Sequence, residues 1–133
     1  MDRRVARAHA MKLIYEWEMG GVGGDETKMN LLEVQPGEDE EDFMNRVSEG
    51  VIKNSAELDT EIGKYLHGWM IERLSKVDLA ILRLAAYELS LGEVAPGVVI
   101  NEAVELANQY SSEKAGAFIN GVLGSMYRAQ AEA

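Results

Sequence analysis

The chain has no cysteine. That excludes a disulfide framework, a thiolate metal site and a cysteine nucleophile. His9 and His67 are the only histidines. A zinc site would need carboxylates to complete it, and no spacing supports a Ser-His-Asp arrangement. Proline occurs twice in 133 residues, and strand-like alternation is absent, so the sequence offers helices and little else. No apolar run approaches the ~18 residues that would mark a membrane span. The arginines near the start have no apolar stretch behind them, so they do not make a secretory signal. The expectation is a soluble, cytoplasmic protein without cofactor or metal.

What is present suits a single helical domain over residues 1–133. With 47% hydrophobic residues, a chain of this length buries roughly two-thirds of its unfolded surface and needs no staple. The net charge of −10 argues against nucleic acid, but its distribution is uneven. Residues 1–15 carry four Lys/Arg and one acid, whereas residues 16–62 carry three against fourteen. A short basic head sits on an acidic body.

Helical periodicity and stop signals predict about seven helices in an all-α fold. The first, RRVARAHAMKLIYEWE, follows a cap at Asp2 and ends at Gly20-Gly21, with Ala6, Ala10, Leu13, Ile14 and Trp17 facing the core. Thr27–Val34 reads as a short helix closed by Pro36-Gly37. Glu38–Asp42 opens the next, where negative charge suits the helix dipole. Phe43, Val47 and Val51 are its apolar positions, and a break falls near Asn54-Ser55. His67-Gly68 is a turn. VDLAILRLAAYELSL is apolar round so much of its surface that it belongs at the centre. Pro96 starts the next helix, with Ile100, Ala103, Val104, Ala107 and Tyr110 on one face. Ser111 or Ser112 caps the last, where Ile119, Val122, Leu123 and Met126 point inward and Gly121 and Gly124 allow close helix approach.

Chemistry-bearing patterns are few. The glycine pairs near residue 20 lack the GK[ST] and preceding strand of a phosphate loop. The consecutive acids at Glu38–Asp42 point all round a helix, and no calcium-loop spacing exists. Two faces remain. Arg3, Arg4, Arg7 and Lys12, with Tyr15, lie away from the first helix's core stripe. Cations could neutralise phosphates there and the ring could stack on a base. Alternatively, these arginines pair with the chain's own acids. Lys114, Phe118, Gly121 and Ser125 make a second small face on the last helix, and Phe118 there is either core packing or a contact.

Three blocks carry a family resemblance. RRVARAHAMKLIYEWE, VDLAILRLAAYELSL and VVINEAVELANQYSSEKAGAFINGVLGSMYR resemble, in order, the opening, middle and closing segments of the NusB antitermination family, INEAVELA and FINGVL being the most specific. The resemblance implies two three-helix bundles packed across each other, a bacterial source and no catalysis. It implies binding of boxA RNA together with NusE, a ribosomal protein that doubles as a transcription factor. The pair would join the elongating RNA polymerase complex with other Nus factors and suppress termination, notably in ribosomal RNA operons. Carried over by position, RNA contacts fall on Arg3, Arg4, Arg7, Tyr15 and Phe118, and the NusE-facing surface on Asp78 and Glu72. Where the family commonly has an acid, this chain has Lys114, which would replace repulsion of RNA with attraction.

Other readings stay in view. One is a protein-only adaptor that binds NusE or forms a homodimer with little RNA affinity. NusB-like domains also occur fused to ribosomal RNA cytosine methyltransferases, but no Rossmann-like nucleotide motif is found in these residues.

Overall fold

The computed structural model describes residues 3–20 and 38–132. These contain six α-helices and a short 3-10 turn: α1 (Arg3–Glu18), α2 (Glu38–Lys53), α3 (Ser55–Gly63), the 3-10 turn Ile71–Arg73, α4 (Lys76–Leu91), α5 (Pro96–Tyr110) and α6 (Glu113–Glu132). No strand occurs among the described residues. The cap expected at Asp2 and the helix expected at Thr27–Val34 lie outside them.

Helix α4 is central, packing against each of the other five. The cause is its composition: Leu79 to Ala86 is buried without interruption, and Glu88 follows. Ser75 caps it, its Oγ accepting a hydrogen bond from the Asp78 backbone N–H at 3.1 Å. Gly92 ends it in the left-handed conformation, φ +67°. Helices α1 and α2 pair, α5 and α6 pair, and α4 joins the two sets. Phe43, Met44, Val47 and Val51 form the buried stripe of α2. Asn54 separates α2 from α3 and donates its side-chain amide to the Gly50 carbonyl at 2.8 Å.

Three expectations are corrected by packing. Helix α1 has no broad free face: Ala8 and Met11, expected opposite the core, are buried along with Ala6, Ala10, Leu13 and Ile14. It is held by α2 and α4 together, so contact is made on more than one side. On α5 the buried positions are Val99, Ala103, Leu106 and Ala107, while Ile100 and Val104 are half-buried, a rotation of the expected face. The close approaches are not at Gly121 or Gly124. A β-carbon at Gly50 would overlap the Tyr87 ring, and one at Gly116 would overlap the Asn108 amide. Gly121 has nothing near its β-position and Gly124 only the Arg128 side chain. Ser112, not Ser111, caps α6, accepting from the Ala115 N–H at 3.0 Å.

His9 is buried in α1 and its Nδ1 has no hydrogen-bond partner among the described residues. Burial pushes its pKa below the ordinary 6.5, and the Lys12 charge adds to the effect. The unfolded chain therefore takes up a proton more readily than the fold. The neutral histidine's contribution is complete above pH 6.5 and is lost as pH falls through the lowered folded value. Urea midpoints measured from pH 7.5 to 5 should fall for the parent more than for His9→Gln. Parallel curves would show that His9 is not the titrating group.

Candidate functional site

The first helix supplies four cations, and ion pairs within the fold engage two of them. Arg7 is 5% exposed. Its Nε donates to Glu88 at 2.9 and 3.1 Å, and its Nη2 at 3.0 Å. Arg7, expected at an RNA contact, lies buried in this pair, its guanidinium turned to Glu88 rather than to solvent. Arg4 is exposed but forks onto Glu102 of α5 at 2.9 and 3.0 Å. Arg3 is exposed and lies 4.0 Å from the centroid of the Phe43 ring. Tyr15 is half-buried against the core, not projecting from it. The alternative that these arginines pair with the chain's own acids describes Arg4 and Arg7.

A second ion cluster, with a buried arginine and half-buried acids, went unnoticed in the sequence. Arg83 of α4 forks onto Asp59 of α3 at 2.7 and 2.8 Å, and its Nη1 lies 3.3 Å from Glu18 of α1. Burial alone would lower its pKa, but the Asp59 hydrogen bonds and charge, with Glu18, raise it. A lone arginine inside an apolar helix was the available signal. It ties three helices together and makes no external contact.

Among the described Lys and Arg, six form ion pairs: Arg4, Arg7, Arg46, Lys64, Lys76 and Arg83. Of the six that do not, three border a single feature, the Trp69–Phe118 pair. These two rings meet edge to face, with centroids 6.3 Å apart. The turn at His67 (φ +48°) and Gly68 (φ +92°) sends the chain outward, and leaves Trp69 60% exposed and Met70 61% exposed. On one side of the pair is a hollow of about 420 Å³, bordered by Trp69, Arg73, Asp78, Lys114 and Phe118. On the other side is one of about 340 Å³ that includes Arg128.

The first hollow brings together residues assigned to different partners: Lys114 and Phe118 to RNA, Asp78 to NusE. Asp78 Oδ1 is buried without a hydrogen-bond partner among the described residues, leaving an acceptor that an incoming donor would satisfy. Glu72 is exposed on the neighbouring 3-10 turn. Tyr15 and the α1 arginines do not line this hollow. Lys12 of α1 lies 4.8 Å from the centroid of Tyr110, which closes α5 before the turn into Lys114. Trp69, Arg73 and Arg128 were missed in the sequence. A Trp-Met pair straight after His67-Gly68 was the signal for Trp69; Arg73 and Arg128 have none.

A larger groove between α5 and α6, about 670 Å³, includes Glu113 and three asparagines but no Lys, Arg or aromatic residue. It lacks what an anionic or stacking ligand requires. Among the described residues no acid/histidine group could hold a metal, and no helix is long and apolar enough to cross a membrane.

Comparison with known proteins bears on the fold and the family. The NusB family model matches residues 4–128. Transcription antitermination protein NusB of Clostridium botulinum (strain Loch Maree / Type A3) is 44% identical over 140 residues, covering 95% of this chain and 99% of its own. The NusB protein of Acetivibrio thermocellus is 47% identical over 130 residues, covering 96% and 90%. A solved structure of antitermination factors NusB and NusE in complex with dsRNA matches with a TM-score of 0.84 and 32% identity over 96% of each chain.

Proposed function

This chain belongs to the NusB family, and from that premise we propose that it is a transcription antitermination factor that binds boxA RNA together with NusE. The complex joins elongating RNA polymerase and acts notably in ribosomal RNA operons. The observation that carries the reading is the hollow where Lys114 and Arg73 lie beside the Trp69–Phe118 pair. Cations without internal acids are free to meet phosphates, and an exposed ring is a platform for a base. The similar structure that holds NusB with NusE and RNA supports the same partners.

A salt titration tests it. With Arg7 buried and Arg4 engaged, Arg3, Arg73 and Lys114 are the candidate phosphate contacts. For single strands the slope of log K against log salt is about −0.7 per contact, so about −2 for three. Lys114→Asp should weaken binding and reduce the slope by about 0.7. If Lys114→Asp binds a boxA-like RNA as the parent does at every salt, the α6 face does not meet RNA.

The protein-only adaptor has one observation in its favour: the α1 arginines are largely spent inside the fold. A salt-dependent RNA gel shift of the chain alone and with NusE distinguishes it, because the adaptor also binds NusE but has little RNA affinity of its own. On the RNA reading, Asp78→Lys lowers NusE affinity and leaves RNA binding by the chain alone in place. Since an acid near a helix N-terminus contributes about 0.3–1 kcal/mol, calorimetric titration is done on variant confirmed as folded. Unchanged NusE affinity would remove Asp78 from that interface.

A further inference from the structure

We propose that the RNA path does not stop at Phe118 but crosses the Trp69–Phe118 pair into the second hollow, where Arg128 and His67 take the backbone and the Trp69 ring takes a base. This rests on the RNA-binding reading above and extends it to a part of the last helix and of the α3–α4 connection that the expected contacts leave out.

The chemistry of that hollow is unlike the rest of the chain. It is bordered by Tyr65, His67, Trp69, Phe118, Ser125 and Arg128 over a floor that includes Leu66 and Val122, with Gly121 at its edge, and no carboxylate is among its lining residues. In a chain with 23 acids against 13 Lys and Arg, an acid-free hollow with a cation at its rim is a local reversal of the field. Arg128 has no carboxylate partner among the described residues. Its Nη2 lies 3.2 Å from Ser125 Oγ, which leaves the guanidinium's other donors available to a phosphate.

Gly121 is the second observation. It lies within α6, where glycine weakens a helix. Nothing inside the fold demands it, since its β-position is open. It lies one turn beyond Phe118 and one turn before Ser125, so it keeps the backbone bare along the line from ring to cation. A bare backbone admits close approach by a ligand. Trp69 lines both hollows and so connects the two halves of the path. The Arg128 guanidinium folds back onto Ser125, seven residues from Phe118 on the same helix, about 10 Å at 1.5 Å per residue. At the ~3.4 Å spacing of stacked nucleotides that is room for about three.

The test compares two labelled RNAs in the presence of NusE: a boxA-like core, and the same core with about three unpaired nucleotides added at each end. The parent should bind the longer RNA at least about fivefold more tightly. Arg128→Glu should abolish that gain without changing affinity for the core, which also reports that the variant is folded. Arg128→Lys should keep part of the gain. Equal binding of both RNAs by the parent overturns the proposal, as does an Arg128→Glu variant that keeps the full gain or loses affinity for both RNAs equally. Loss of NusE affinity with RNA binding intact would make the hollow a protein surface and also overturn it. If the parent binds neither RNA, the RNA-binding reading fails first and the extension falls with it.

Discussion

Arg7→Ala should destabilise the fold by about 3–5 kcal/mol, the cost of removing one partner from a buried ion pair. The Glu88 side chain is 5% exposed and its carboxylate takes three hydrogen bonds from Arg7. Without the guanidinium the charge stays behind in the apolar contact between α1 and α4, beside Leu84 and Ala85. Typical domain stability is about 5–15 kcal/mol, so a loss of this size takes a large share of it. The double variant Arg7→Met/Glu88→Leu removes both charges and keeps volume, and should recover most of the loss. Urea unfolding followed by circular dichroism gives all three values. An Arg7→Ala variant within about 1 kcal/mol of the parent would mean that water reaches the pair. The consequence for function is direct: weaker RNA binding by an Arg7 variant reports a damaged fold, not a lost phosphate contact.

Phe118→Ala should weaken RNA binding by about 1–3 kcal/mol, the worth of stacking one base on an aromatic ring. At about 1.4 kcal/mol per tenfold, that is roughly 5- to 150-fold in affinity. Phe118 is half-buried and packs on the core edge, so alanine also costs stability. Phe118→Leu separates the two effects: it keeps apolar bulk and loses the π-face. Fluorescence anisotropy with a boxA-like RNA should show Phe118→Leu nearly as impaired as Phe118→Ala, while its thermal midpoint stays closer to the parent. If leucine restores binding, the ring's role is packing and the base lies elsewhere.

The helices were legible because their signals are local. The stripe Phe43, Val47, Val51, the turn at His67-Gly68 and the wide apolar surface of α4 each follow from spacing or from a residue type that permits few conformations. The site was only half legible. Phe118 and Lys114 share a helix face, so periodicity placed them together. The basic head misled because periodicity says which residues share a face, not what covers that face. Arg4 and Arg7 are matched by Glu102 and Glu88, 98 and 81 residues away, and such pairings come from tertiary packing. Trp69, Arg73 and Arg128 converge from a turn, a 3-10 segment and the far end of α6 for the same reason.

The chain has two tryptophans, and they provide the most direct test of where RNA sits. Trp17 lies on α1 beside Arg83, 5.7 Å from ring centroid to guanidinium, whereas Trp69 stands exposed against Phe118. In the nitrogen-15 spectrum each indole N–H gives one signal. Titration of a boxA-like RNA into the chain with NusE already bound should shift or broaden the Trp69 signal and leave that of Trp17 in place. Saturable RNA binding with Trp69 unmoved would contradict the account, because the surface that carries it would then be empty when RNA is bound.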